Sequence, residues 1–525
     1  MQASSEPNVT LLRPLGLFER YCLARHQAGV PVVLAWVVEV KLDSSEEQRN
    51  FAQHLQRRIS SIVEQNALLS CHVAHAATRC PRWARRGGTL PVADILRVDT
   101  LTDVQEPVDA QQRLEALMAE SIDTGFPDLT RGFLWKVHLR HYKGSSILSL
   151  AAHHAIVDGR GLANLLENLL LDDSSRPAPA LDSAFTLARQ DEALPASAEH
   201  HHLMKPSFGF MLPILFKELL LPLLPTSLST YFQRAPSWGI DAIRNGENHS
   251  GIERRLLFFD DGNLVRDIKH HSAKHGIKTL HPVIHTAAVL AVWFLSQQQR
   301  KTSGAKEDEK ASAAIVVESS TPRSLRKPER DSFCSGNLIA GHVSSLALNN
   351  DSSVWSLAQE YQAGLLSPTA QSEALMRVGL LSYLPDSASH ISTPEEPTGW
   401  EAFVRRKKAS TTPYNHTFEC SNVGLLNLDS RWADKIGRAV WAQRNQPMSD
   451  MINLDVCGIR RRASTPQDTS EQVNVELSCS VSWREAALDG ETFAQVFENV
   501  LRAFARGEMN RDVLVWEALE RTRGS

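Results

Sequence analysis

SILSLAAHHAIVDGRGLANLLENLL, Ser146 to Leu170, is the stretch on which the fold turns. An apolar run from Ile147 to Ala152 stops at His153 and His154, and Asp158 and Gly159 follow shortly after. Leu162, Leu165, Leu166, Leu169 and Leu170 then recur at helical spacing. The pattern is a buried strand, a short polar loop and a helix. Upstream, FLWKVHLRHYKG alternates Trp135, Val137 and Leu139 and turns at Lys143 and Gly144, so the apolar run is the second strand of a hairpin.

Working outward, the same grammar recurs. Ser44 and Glu47 form a capping pattern ahead of Phe51, Leu55, Ile59 and Ile62, an amphipathic helix. HPVIHTAAVLAVWFLSQQQ is a helix with Pro282 in its first turn, and a charged, solvated stretch, RKTSGAKEDEKASA, separates it from the strand AAIVVESS. QVNVELSCSVSW alternates as a strand, and Phe493, Val496, Phe497, Val500, Leu501 and Phe504 mark a last amphipathic helix. Strands and helices alternate in both halves, so the class is α/β with two similar lobes. At 525 residues the chain exceeds what one core accommodates. Residues 172–205, rich in Ser, Pro, Ala, Asp and His, read as a crossover linker that includes a solvated run, His200 to His202. The expected division is 1–200, an apolar crossover segment 201–250, and 251–525.

The net charge of −4 excludes a dedicated nucleic-acid binder and favours a small-molecule ligand. Seven scattered cysteines with no C-x-x-C suggest neither a disulfide framework nor a zinc site. The N-terminal stretch lacks a basic region followed by an apolar core, so a cytoplasmic protein is expected. The segment 208–228 is nearly all apolar but carries Lys217, Glu218 and three prolines, which argues against a straight spanning helix. It reads either as buried inter-lobe chain or as a surface that touches a membrane or lipid droplet, or caps a channel for an apolar substrate.

Of twenty histidines, only His154 has an aspartate four residues later. A histidine at the end of a rigid strand has few rotamers and titrates near neutrality, so His154 is the candidate general base for a hydroxyl. Asp158, in a loop that Gly159 lets bend, is expected to anchor that loop on a distant arginine. His153 supports it. No G-x-S-x-G exists for a serine hydrolase, no cysteine sits in a nucleophile turn, and His281 with His285 lacks further metal-ligand partners, so no metal is expected.

With these residues in view, FLWKVHLR…SILSLAAHHAIVDGRG resembles the signature of the coenzyme-A-dependent acyltransferases that include chloramphenicol acetyltransferase, the plant BAHD enzymes and peptide-synthetase condensation domains. RPLGLFERYCLARHQAGVP, Arg13 to Pro31, resembles the start of the fungal alcohol O-acetyltransferase family. The resemblance implies two chloramphenicol-acetyltransferase-like lobes with mixed β-sheets and a tunnel between them. It implies a monomeric acyltransferase of secondary metabolism that binds no permanent cofactor and uses acetyl-CoA as co-substrate. The acceptor would be an apolar alcohol, a terpenoid, sterol or fatty alcohol, whose hydroxyl His154 deprotonates for direct attack on the thioester. Asp158 would pair with Arg326, or alternatively Arg323. CSNVGLLNL resembles the second-lobe strand that approaches the tunnel, with Ser421, Asn422 and Gly424 as oxyanion or CoA-binding candidates, and Arg405, Arg406, Lys407 and Lys408 as candidates for the CoA phosphates. The plant D-F-G-W-G is absent, which leaves the oxyanion donor unassigned. The alternatives on the same scaffold are an amide-forming or condensation-type acyltransferase and an inactive lipid- or terpenoid-binding protein.

Overall fold

The structure, a computed structural model, describes residues 9–86, 89–100, 110–142, 145–172, 184–186, 194–201, 204–216, 220, 223–224, 237–239, 251–260, 263–302, 314–327, 335–384, 398–410, 414–428, 432–461, 474–484, 488–509 and 513–518. The expected turn at Lys143 and Gly144, Cys334, and most of the linker, the crossover segment and the charged stretch after residue 302 lie outside them.

Two β-sheets dominate the fold. The first has five strands in the order Ile436–Gln443, Val33–Val40, Ser145–His153, Trp135–Tyr142, Leu96–Thr100. Val33–Val40 is apolar on both faces because helices cover one side and the rest of the first core the other. The expected helix, Ser45–Gln65, buries Phe51, Leu55, Ile59 and Ile62, and Ser44 Oγ accepts from Glu47 N at 3.1 Å. Glu47 reaches back to Asp43 N at 2.7 Å, one residue earlier than a simple capping box would place it.

The second sheet has six strands in the order Ile252–Phe259, Asn474–Arg484, Ile452–Arg461, Phe418–Leu426, Ile315–Ser324, Ile339–Leu348. Its central strands include two parallel pairs, so the sheet is mixed. Helices Leu280–Thr302 and Gly490–Ala505 lie in the core on one face, where Phe418, Leu454 and Cys479 meet Val289, Phe497 and Val500.

The lobes interlock. Strand Ile436–Gln443 belongs to the chain's second half, yet it pairs antiparallel with Val33–Val40 and completes the first sheet. In return, helix Ala110–Asp123 reaches the edge of the second sheet, where Gln111 Nε2 donates to Leu256 O at 2.9 Å and Leu256 N donates to Glu115 Oε1 at 3.0 Å.

Gly159 opens helix Gly159–Leu170 with no left-handed backbone, so the bend expected of it is not its role. A Cβ there would stand 3.1 Å from Val423 Cγ1 and 3.2 Å from Trp441 Cη2. Glycine is needed for the close approach of second-half residues to the motif. Gly159→Ala is therefore expected to destabilise by about 1–3 kcal/mol, read as a lower urea midpoint at unchanged m-value.

Helix Phe208–Leu215 has no buried residue; Phe208 is 74% exposed and Leu212 53%. The buried reading of this segment does not hold for it. No helix among the described residues is long and apolar enough to cross a membrane.

Candidate active site

His154 directly follows the apolar strand, and its backbone is held, N donating to Val32 O at 3.0 Å. Its Nδ1 lies 3.0 Å from Asn337 Oδ1. The Asn337 amide nitrogen donates to the carbonyls of His154 and Ala155, the latter at 2.9 Å. Carbonyls only accept, so the amide oxygen must face the imidazole, and Nδ1 must carry the hydrogen. Nε2 is left with the free lone pair. Phe18 packs edge-on against the ring, with centroids 5.3 Å apart. Burial lowers the His154 pKa below 6.5, against the opposing pull of its own carbonyl, Asp158 and Asn337.

His153 is in the other tautomer. Its Nδ1 accepts from Ala155 N at 3.1 Å, so the hydrogen sits on Nε2, inside a fully buried pocket beside the rings of His26 and Phe126. Burial holds its pKa well below 6.5. With its lone pair committed to the backbone, it braces the turn.

Asp158 is fully buried and caps helix Gly159–Leu170, accepting from Gly161 N at 2.7 Å. Its second oxygen accepts from Leu338 N at 2.8 Å and from Arg326 Nη2 at 2.9 Å. Of the two candidate arginines, Arg326 is thus the partner, and Arg323 donates instead to Leu365 O. Arg326 also donates to Gly336 O at 2.9 Å, and Gly336 N donates to Ile156 O at 2.7 Å. Gly336, at φ 94°, occupies backbone space that favours glycine. Three successive second-half residues, Gly336, Asn337 and Leu338, therefore hold the loop from His154 to Asp158.

Sequence reasoning misses Asn337, although it lies in the stretch that supplies the arginine. Asn337→Leu removes the acceptor for Nδ1 and the donor for two carbonyls. It is expected to lower turnover about tenfold or more as the tautomer lock is lost, whereas Asn337→Asp keeps an acceptor for Nδ1 and should recover part of the rate, with a loss of stability because a carboxylate cannot donate to those carbonyls. Steady-state rates of the two variants, with circular dichroism as a check on folding, decide this.

The N-terminal motif has a positioning task. Arg13 grips Glu19 with two hydrogen bonds of 2.8 Å, and Glu19 also accepts from Gly16 N at 2.7 Å and Trp83 Nε1 at 3.0 Å. This clamp fixes helix Leu17–Gln27, which brings Phe18 to His154 and buries Arg25.

The candidates on strand Phe418–Leu426 surround an irregularity. The register shifts between Asn422 and Leu425, Gly424 has φ 80°, and Asn422 Oδ1 accepts from Gly424 N at 2.8 Å. Arg160, from the first turn of the motif helix, donates to Val423 O at 3.1 Å and Leu425 O at 3.0 Å. The bulge is thereby tied to the motif, and Ser421 is buried beside Asp455 in the ladder. Arg405, Arg406, Lys407 and Lys408 form the last turn of helix Gly399–Lys408, where cations complement the helix dipole. Lys408 Nζ donates to Ala28 O at 3.2 Å, so this turn lies against the end of helix Leu17–Gln27. Among the described residues no cluster of His, Cys, Asp and Glu could hold a metal ion.

The sequence profile of the alcohol acetyltransferase family matches residues 134–501. The chain belongs to the alcohol acetyltransferase family. That match spans both the motif strand of this alcohol acetyltransferase and most of its second lobe, and it makes the protein an acyltransferase. None of the curated proteins compared with it matches. Among solved structures, it is similar to polyketide synthase associated protein 5 from Mycobacterium tuberculosis, at TM-score 0.56 and 12% identity over 95% of this chain and 99% of that one. It is also similar to the first condensation domain of the calcium-dependent antibiotic synthetase, at TM-score 0.53 and 14% identity over 96% and 98%. A third is the epimerization domain from the third module of tyrocidine synthetase B, at TM-score 0.53 and 12% identity over 100% and 99%. At such identities these likenesses establish the fold alone: the two-lobed α/β architecture of the condensation-domain and chloramphenicol-acetyltransferase type.

Proposed function

We propose that the protein transfers an acetyl group from acetyl-CoA to the hydroxyl of an alcohol with a large apolar skeleton, such as a terpenoid, sterol or fatty alcohol. The observation that carries this reading is the tautomer of His154: Asn337 holds the hydrogen on Nδ1, so Nε2 is a fixed proton acceptor. In the reaction the acceptor hydroxyl gives its proton to Nε2 as its oxygen attacks the thioester carbonyl. The tetrahedral intermediate then collapses, the carbon–sulfur bond breaks, and the imidazolium returns the proton to the departing thiolate. Asp158 stays out of the chemistry, since its oxygens are occupied by Gly161, Leu338 and Arg326. The cations of helix Gly399–Lys408 are suited to the phosphates of CoA. The exposed apolar residues Phe208, Leu212 and Leu223 support a peripheral membrane contact through 208–228.

The test is release of CoA thiol from acetyl-CoA with terpenoid, sterol and fatty alcohols, alongside the corresponding amines. Transfer to alcohols supports the reading; transfer to amines alone, or to nothing, rejects it.

The pH profile follows from the base. Burial favours neutral His154, so the active form persists below the usual histidine range, and activity falls only as pH drops through the lowered pKa. The acidic limb of kcat/KM is expected to have its midpoint below 6.5. A midpoint above that value rejects burial as the dominant influence on the base.

A further inference from the structure

Two arginines meet where the lobes face each other, with little to hold. Strand Ile252–Phe259 turns Leu257 and Phe259 into the second core and Leu256 into the first, so alternation aims Arg254 at the first lobe. Arg444 directly follows strand Ile436–Gln443 of the first sheet. Both reach Asp123, the last residue of helix Ala110–Asp123. Arg254 Nη2 lies 3.4 Å from its Oδ1, and Arg444 Nε 4.0 Å from the same atom.

Each guanidinium is a permanently charged, planar fork of N–H donors. The Arg254 side chain is 4% exposed and that of Arg444 25%, yet Nε of both is buried without a hydrogen-bond partner among the described residues. The two share one oxygen of a carboxylate that is itself 47% exposed. Asp455, which also feels Arg254, is no substitute: burial pushes it well above the carboxylate range, and its oxygens accept from Gln443. Arg484 adds to the imbalance. It lies on the same face as Arg254, diagonally across the register. Burial, with the charges of Arg254 and Arg484, pulls the Arg444 guanidinium below its usual range against the opposing pull of Asp123. Under-paired buried charge is costly, and an incoming anion relieves it. Solvent reaches the pair through Arg444 and Asp123, so an anion has access.

The position bears on the reaction. Arg444 N donates to Val33 O at 3.0 Å, and Val33 is the register partner of His153, the residue before the base. Lys408 Nζ donates to Ala28 O, so the arginines and the cations of helix Gly399–Lys408 flank residues 28–33, which lead into the same strand. A reactant with phosphates at more than one point can engage both groups.

We propose that Arg254 and Arg444 bind a phosphate of the acyl donor, acetyl-CoA, which takes the place of Asp123 as their partner. This rests on the acetyl-transfer reading. Guanidinium forks match phosphate oxygens in pairs, and two of them from opposite lobes make the donor a bridge across the cleft.

The probes are acetyl-CoA and acetyl-pantetheine, which carries the same thioester and no phosphate, with one acceptor alcohol held fixed. The ratio of kcat/KM for acetyl-CoA to that for acetyl-pantetheine is expected to fall about tenfold or more in Arg444→Gln, and likewise in Arg254→Gln, the worth of a charge-assisted hydrogen bond. Asp123→Asn removes the competing carboxylate and is expected to raise the ratio about twofold or more, whereas a purely structural ion pair would not raise it. A ratio that holds in Arg444→Gln, or that falls in Asp123→Asn, overturns the proposal. So does a preference for a phosphorylated acceptor that Arg444→Gln abolishes, since the anion would then belong to the other substrate. If the intact chain transfers acetyl from neither donor, the acetyl-transfer reading fails, and calorimetry with free CoA and pantetheine decides the site on its own. Tighter binding of CoA, with the difference lost in Arg444→Gln, supports the site; equal affinities, or a difference that Arg444→Gln leaves in place, overturn it.

Discussion

His154→Ala is expected to lower kcat/KM for acetyl transfer by about 10²–10⁴-fold, the worth of a positioned proton acceptor. The loss should fall mainly on kcat, because Nε2 acts on the hydroxyl as it becomes a nucleophile and contributes less to holding the ground state. Stability should change far less. The strand end remains pinned by His154 N on Val32 O, and Asn337 still donates to the two carbonyls through its amide. What is lost is the donor to Asn337 Oδ1, worth about 1 kcal/mol. The informative comparison is His153→Ala, which removes a ring whose lone pair already accepts from Ala155 N. It should unsettle the turn and lower the melting temperature, with activity falling as the fold loosens. A folded His154→Ala chain that turns over at the parent rate would show that the proton leaves by another route.

The second large effect is on the anchor. Asp158→Ala deletes the cap of helix Gly159–Leu170, the acceptor for Leu338 N and the partner of Arg326, whose side chain is only 6% exposed. Breaking a buried pair by removing one member leaves a charge uncompensated, so a loss of about 3–5 kcal/mol is expected from urea unfolding. Activity should fall with it, since the residues that position His154 are strung on the same loop. Asp158→Asn separates the contributions: its amide oxygen can still accept from Gly161 N while the charge is gone. Its stability should lie between those of the parent and the alanine variant. If Asp158→Ala unfolds at the parent urea concentration, the anchor role is wrong.

Much of this is legible from residue order because it is local. The strand-loop-helix around His154, the cap at Ser44 and the apolar faces of Ser45–Gln65 and Gly490–Ala505 follow from periodicities that the chain satisfies with its own neighbours. The family signature carries the two-lobed class. What escapes is what distant segments do to one another. Asn337 is an ordinary polar residue until Gly336 presents it beside His154. Gly159 reads as a hinge, and only the positions of Val423 and Trp441 reveal that it is a contact surface. The second face of the same sheet is hidden for a related reason: alternation in NVELSCSVSW tells which residues face a core, but not that Ser478, Ser480 and Ser482 between them are buried as well.

The exchange of strand Ile436–Gln443 has a consequence for how such a chain can be made. Until that strand emerges from the ribosome, Val33–Val40 has no partner on one side, and its sequence, VLAWVVEV, is an almost uninterrupted apolar ribbon. A nascent first half would present an open, sticky sheet edge for the time needed to synthesise some hundreds of further residues. Fragments ending before residue 436 would be prone to aggregate through that edge, and a chaperone that shields hydrophobic strands during translation would have its greatest effect over this interval.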